Sequence, residues 1–256
     1  MILTDTHSHL YSDQFDADFS EVLARCEEMS VKRIFLPNID MASVPLMHKL
    51  QNDRPEMFFP MMGLHPCSVE ESYDEVLNEM EKMLRDGDYC AVGEIGIDLH
   101  WDKTTLAIQQ AAFRRQVGWA KEMRLPIIIH ARESFDELFE LLDELNDDSL
   151  TGIFHCFTGT MEQAQRVIDY GGFMLGIGGV VTFKNSGLDK VVAQLPLEYL
   201  VLETDSPYLA PQPHRGKRNE SSYLLLVAQK VADMHEISLE KVAEITTANS
   251  RKVFNC

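Results

Sequence analysis

Asp5-Thr6-His7-Ser8-His9 puts two imidazoles two positions apart near the start of the chain. On an extended backbone, positions i and i+2 project to the same side, so His7 and His9 can reach one ion. Further along, single ionisable residues stand at the ends of apolar runs. They are Glu94 in Gly93-Glu94-Ile95-Gly96-Ile97-Asp98, His130 after Ile127-Ile128-Ile129, His155 after Gly152-Ile153-Phe154, and Asp205 in Glu203-Thr204-Asp205-Ser206-Pro207. Taken singly, such a histidine is more often a hydrogen-bonded structural residue, and a buried glutamate is more often paired with Arg or Lys. Taken together, four imidazoles and two carboxylates would be costly to bury without a cation.

The set predicts a metal site with His7, His9, Glu94, His130, His155 and Asp205 as ligands. Mixed imidazole and carboxylate ligation suits Zn, Mn, Fe or Co, and suits Mg less well because so many donors are nitrogen. Six ligands exceed what one catalytic ion with an open position needs, so two divalent ions are expected. Ions about 3.5–4 Å apart can activate a water and clamp both oxygens of a displacement. Glu94 has two carboxylate oxygens and is the expected bridge. Asp205 is expected to act both as ligand and as general base.

Such residues need a scaffold that gathers strand ends. Apolar runs at 2–6, 33–38, 58–64, 90–97, 126–130, 152–157, 173–177 and 200–204 read as strands, several apolar enough to be buried on both faces. Amphipathic stretches at 19–29, 42–50, 70–84, 106–123, 134–145, 161–170, 187–194 and 221–235 read as the helices between them. A last helix is expected at 238–253, with Ser238 as N-cap and no capping box, because Lys241 stands three residues on. Strand-then-helix eight times over predicts an α/β fold, a single (β/α)8 TIM-type barrel with its site at the C-terminal ends of the strands. An open doubly wound sheet is the alternative. With no linker, low-complexity segment or repeated motif in view, one domain over residues 1–256 is expected.

The chain's 256 residues match the roughly 250-residue size of such a barrel. Its five cysteines are odd in number and lack CxxC spacing, which argues against a disulfide framework and a structural zinc knuckle and for a reducing compartment. No apolar run is long enough to span a bilayer and no signal pattern opens the chain, so a cytoplasmic protein without membrane attachment is expected, by default a monomer. The net charge of −18 argues against a large, non-specific nucleic-acid surface, though not against a phosphate-bearing substrate at one place. Arg215, Lys217 and Arg218 form the compact basic loop just after the last expected ligand, where they either steady a phosphate or remain solvated. His65 stands at the third strand's end as a substrate contact or a structural residue. Glu203 is placed for a third ion or for a hydrogen bond to a ligand histidine. Asp98 and Arg132 are expected around the ligands or against the substrate. Cys156 is expected to alternate away from His155 and pack, and Phe58-Phe59 and Met61-Met62 to lie in the core.

The chain resembles the TatD family of metal-dependent deoxyribonucleases, within the amidohydrolase-like barrels. The resemblance runs through Asp5-Thr6-His7-Ser8-His9-Leu10, Gly63-Leu64-His65-Pro66, Val92-Gly93-Glu94-Ile95-Gly96-Ile97-Asp98, Pro126-Ile127-Ile128-Ile129-His130-Ala131-Arg132 and His155-Cys156-Phe157-Thr158-Gly159. It continues through Leu202-Glu203-Thr204-Asp205-Ser206-Pro207-Tyr208-Leu209-Ala210-Pro211 and Pro213-His214-Arg215-Gly216-Lys217-Arg218-Asn219-Glu220. It implies His7, His9 and Asp205 on one metal, His130 and His155 on the other, and Glu94 bridging. It also implies phosphodiester hydrolysis, exonucleolytic on DNA; with the six-ligand set and the basic loop, a 3′–5′ exonuclease on single-stranded or frayed DNA is expected. An amide or ester metallohydrolase, such as a D-aminoacyl-tRNA deacylase, is the alternative. One departure bears on substrate: where the family has tyrosines and an arginine after Gly96-Ile97-Asp98, this chain has Leu99-His100-Trp101-Asp102-Lys103. His100 and Trp101 either stack a base or pack on the barrel rim.

Overall fold

Short runs of branched and aliphatic residues form the strands. In the computed structural model, which describes residues 1–255, these are β1 (Leu3–Asp5), β2 (Val31–Leu36), β3 (Phe58–Pro60), β4 (Val92–Asp98), β5 (Ile127–Arg132), β6 (Gly152–Phe154), β7 (Phe173–Ile177) and β8 (Leu200–Leu202). Every ladder is parallel and follows chain order, β1-β2-β3 in one run and β4-β5-β6-β7-β8 in the other. Parallel bridges join the two runs, Met62 with Val92 and Ser8 with Ser206. Gly93 N donates to Met62 O at 3.0 Å, Asp205 N to His7 O at 2.9 Å and His9 N to Ser206 O at 2.7 Å. These bonds carry the order from β3 to β4 and from β8 back to β1, so the strands form a barrel rather than an open doubly wound sheet.

The helices lie outside it: α1 (Phe19–Glu28), α2 (Val44–Asp53), α3 (Tyr73–Asp86), α4 (Leu106–Met123), α5 (Phe135–Leu145), α6 (Met161–Asp169), α7 (Leu188–Val192), α8 (Leu224–His235) and α9 (Leu239–Phe254). Each longer helix buries one stripe at helical spacing, as Leu77, Met80 and Leu84 do on α3. Ser238 caps α9 as expected, its hydroxyl accepting from Lys241 N at 3.2 Å. α9 then ties the first and last strands together: Thr247 Oγ1 donates to Ile2 O at 3.0 Å, and Asn249 Nδ2 to Leu200 O at 2.8 Å. Among the described residues, no helix is long and apolar enough to cross a membrane.

Strand alternation aims the site. Phe35, Met61, Ala91, Ile128, Ile153, Met174 and Val201 form an inner cluster, whereas Ile127 and Ile129 pack in the larger core toward the helices. Two residues beyond Ile128 and Ile153, the same parity turns His130 and His155 into the barrel mouth. β4 is entered on the opposite parity, with Ala91 just before it turned inward, and its register against β5 shifts between Val92 and Ile95. That irregularity moves Glu94 to the inner side. Gly96 allows it: at φ +148° its backbone runs so close to β5 that a Cβ would fall 2.0 Å from His130 O.

Element positions agree with the sequence reading, and the ends differ. β5 continues past His130 to Arg132, while β6 and β8 stop at Phe154 and Leu202. Beyond those ends Cys156 and Asp205 take positive φ, 45° and 56°, so strict alternation no longer holds. Cys156 therefore lines the central cavity instead of alternating away from it.

Candidate metal centre

The loop after β1 supplies His7 and His9. Its course is fixed by Asp5, which is fully buried and accepts from Thr204 N at 2.9 Å and from Thr204 Oγ1 at 2.7 Å. Burial pushes this carboxyl up to about 7. A serine cluster adds a second stitch between β1 and β8, with Ser8 Oγ 2.6 Å from Ser206 Oγ and accepting from Ser221 Oγ at 3.1 Å. Spacing alone did not reveal these residues; their link runs between strands at opposite ends of the chain.

The two imidazoles turn their Nε2 atoms to one point, 3.3 Å apart. Glu94 Oε2 lies 3.1 Å from His7 Nε2 and 3.7 Å from His9 Nε2, and Asp205 Oδ1 lies 3.8 and 3.6 Å from the same two atoms. Metal–ligand bonds of about 2.0–2.1 Å at tetrahedral angles leave donor atoms roughly 3.3 Å apart. The donor set therefore fits a divalent ion. On the other side, Glu94 Oε1 is 2.8 Å from His130 Nδ1 and 2.8 Å from His155 Nε2, which are 3.3 Å from each other. Each Glu94 oxygen thus faces its own set of imidazoles, His7 and His9 on one side and His130, His155 and, at 3.4 Å, His65 on the other.

Neighbouring groups hold these side chains. Tyr11 Oη donates to Pro37 O at 2.6 Å, which uses its one proton, so His9 Nδ1, 2.7 Å from that oxygen, must be the donor. His9 Nε2 is then the lone-pair nitrogen that faces Glu94. His130 Nε2 is bound to Asp98 Oδ2 at 2.9 Å, leaving Nδ1 for the centre. Asp98, expected around the ligands, is held at about 2 against burial by His130 and by His100 N. Burial would raise Glu94, but the charges of His155, His65 and His7 overturn it and hold the carboxyl well below its usual range. His155 is raised well above the usual imidazole value against burial, by Glu94 first. His7, enclosed and stacked on His155 at 3.8 Å, is lowered by burial and by that neighbour.

Glu203 is fully buried, and its Oε1 accepts from Cys156 N. His7 Nδ1, His155 Nδ1 and Glu203 Oε2 are buried polar atoms with no hydrogen-bond partner, and these three residues form a further grouping able to hold a cation, as His65, Glu94 and His130 also do. His65 Nδ1 accepts from Cys67 N at 3.0 Å, so in the neutral ring Nε2 carries the proton, 3.4 Å from Glu94 Oε1. That tautomer suits a donor to substrate better than a ligand.

The groups open into a cavity of about 630 Å³, whose wall includes His65, Arg132, Trp101 and Tyr208. The basic loop is not part of that wall. Arg218 donates twice to Asp18 at 2.7 Å and covers the Phe15 ring, Arg215 lies over Phe183 at 4.2 Å, and Lys217 is exposed. Asn219 and Glu220 are structural in the same sense: Asn219 Nδ2 donates to Thr204 O and Tyr208 O at 2.7 Å, and Glu220 accepts from Arg25 Nε at 2.6 Å.

A parallel barrel with imidazoles and carboxylates converging at its mouth defines a metal-dependent hydrolase. The chain belongs to the TatD family: the family profile described as TatD related DNase matches residues 4–255. It is 38% identical over 254 residues to the uncharacterized metal-dependent hydrolase YabD of Bacillus subtilis, covering 99% of both chains. It is 29% identical to the 3′–5′ ssDNA/RNA exonuclease TatD of Pantoea ananatis, over 98% of both. The crystal structure of the TatD homologue YjjV from Escherichia coli superposes with a TM-score of 0.92 at 28% identity, covering 99% of this chain and 98% of that one.

Proposed function

We propose that residues 1–256 form one catalytic domain, a two-metal phosphodiesterase that shortens single-stranded DNA from its 3′ end. The observation that carries this reading is the two-sided environment of Glu94: Oε2 toward His7 and His9, with Asp205 beside the same two imidazoles, and Oε1 toward His130 and His155. His7, His9 and Asp205 would hold one ion, His130 and His155 the other, and Glu94 both. The excess of nitrogen donors favours Zn, Mn, Fe or Co over Mg. Divalent ions bound there supply Lewis acidity, polarising phosphoryl oxygens and making water more acidic.

The chain's own groups do the rest. Asp205 is the partly exposed carboxylate of the set and accepts the proton of the attacking water. As water oxygen bonds to phosphorus, the bond to the leaving sugar oxygen breaks in line, and that oxygen takes up a proton from solvent water to leave as a hydroxyl. His65 Nε2–H and the Arg132 guanidinium, both on the cavity wall, donate to the phosphate's free oxygens and fix its approach. Support for a nucleic-acid substrate comes from the exonuclease relative in Pantoea ananatis.

The test is hydrolysis of 5′-labelled single-stranded DNA by metal-loaded wild type and Glu94→Ala, with metal content measured on both. The expected result is a ladder of shortened products from wild type alone, a rate at least about 10³-fold lower in the variant, and metal lost with the carboxylate. Wild-type protein that binds metal yet leaves DNA and other phosphodiesters intact would overturn the reading and direct the same centre to acyl substrates.

A further inference from the structure

Trp101 follows β4 and Tyr208 follows β8, strands that stand half the ring apart in the barrel order. Both line the cavity, yet Trp101 is 75% exposed and Tyr208 51% exposed. A tryptophan left in water forgoes a large apolar burial. Here the ring is held outward. The Arg132 guanidinium lies over it at 5.4 Å, and His100, bound through Nδ1 to Glu133 Oε1 at 2.7 Å, meets it edge-on. The loop is hydrogen-bonded on both sides: His100 N donates to Asp98 Oδ1 at 2.9 Å, and Thr104 N to Asp102 Oδ1 at 2.7 Å. Across the mouth, Tyr208 N donates to Asp205 O at 2.8 Å and its ring stands edge-on to His9.

We propose that Trp101 and Tyr208 are stacking platforms for the nucleobases on either side of the scissile linkage. This rests on the phosphodiesterase reading and assigns to two rim residues the holding of the unpaired strand that the reading requires. Stacking on an aromatic face needs an unpaired base and is indifferent to which base it is. The charge balance requires such a device. The net charge is −18 and Arg218 of the basic loop is engaged by Asp18, so a polyanion gains little from the protein's own charge. Neutral π faces supply affinity that does not depend on it, and the Arg132 charge beside Trp101 meets the adjoining phosphate.

The chain has two tryptophans, and Trp119 is 3% exposed, so an emission change on adding an oligonucleotide reports Trp101. Metal-loaded protein is titrated with a phosphorothioate oligodeoxythymidylate, which resists hydrolysis, and binding is followed in parallel by anisotropy of a labelled strand. Saturable quenching that tracks the anisotropy is expected, and Trp101→Phe should abolish it. The second readout is the ratio of kcat/KM for oligodeoxythymidylate to kcat/KM for methyl 4-nitrophenyl phosphate. Trp101→Ala and Tyr208→Ala should each lower that ratio about ten-fold, mainly through KM for the oligonucleotide, and the phenylalanine variants should restore it. A merely structural role would lower both rate constants together. Binding without quenching, or an unchanged ratio in both alanine variants, overturns the proposal. Wild type that hydrolyses no diester would instead sink the phosphodiesterase reading, and the titration then decides on stacking by itself.

Discussion

Tyr11 decides which nitrogen of His9 faces the cavity. Its hydroxyl has one proton and spends it on Pro37 O, so the imidazole must donate to it and keep the Nε2 lone pair inward. Partners of this kind fix the tautomer and ring orientation of ligand histidines, and losing one typically costs about 10–100-fold in metal affinity. Tyr11→Phe keeps the ring and its packing while removing the oxygen. It should weaken metal binding within that range, measured by titration against a competing chelator, with an unchanged circular dichroism spectrum. Affinity equal to wild type would mean that the His9 ring is held by packing alone. Sequence spacing identified His7 and His9 but not Tyr11, because the bond that matters reaches Pro37 beyond the end of β2, and nothing local pairs those positions. Arg218 illustrates the converse. Its place near the last expected ligand left phosphate contact or a solvated loop open, and the structure pairs it with Asp18, 200 positions away, a partner that local spacing does not reveal.

At the scale of the element, β4 carries the tightest constraint. The strand must bring Glu94 inward although Ala91, just before it, is already turned inward, and it does so beside Gly96, whose missing Cβ leaves room for His130 O. Gly96→Ala meets both a backbone clash at 2.0 Å and an unfavourable φ of +148°. Strain and overpacking of this kind each cost about 1–3 kcal/mol, so a loss on the order of 3 kcal/mol is expected. Thermal unfolding would register it, and the metal content should fall too, since β4 and β5 carry Glu94 and His130. An unchanged Tm would show that the two strands can part without cost. Helices and strands themselves were legible from periodicity: 106–123 and 173–177 match α4 and β7 to the residue. Strand ends were not. Hydrophobic alternation says nothing of where a ladder stops, so the turns at Cys156 and Asp205, which set the direction of their side chains, emerge only from the folded backbone.

For the whole molecule, the excess negative charge sets how a nucleic acid can be approached. Two divalent ions would offset only a small part of the −18, so the field around the protein repels a polyanion at distances beyond the cavity. That repulsion is screened within about 30 Å at 0.01 M salt and about 10 Å at 0.1 M. A nuclease that grips its substrate through many Lys and Arg contacts loses about 10³–10⁵ in affinity between 50 and 200 mM salt. If a strand is held by Arg132 at the cavity wall and by the two aromatic faces on the rim, few counterions would be released on binding, and added salt would also relieve the long-range repulsion. Steady-state kcat/KM on single-stranded DNA should therefore stay level or rise from 50 to 200 mM potassium chloride at fixed metal concentration. A fall of more than about ten-fold over that interval would imply several phosphate contacts. The source of those contacts would then have to be a basic surface formed only with the strand in place, with the Arg215–Arg218 loop released from Asp18 and Phe183 as the segment to mutate next.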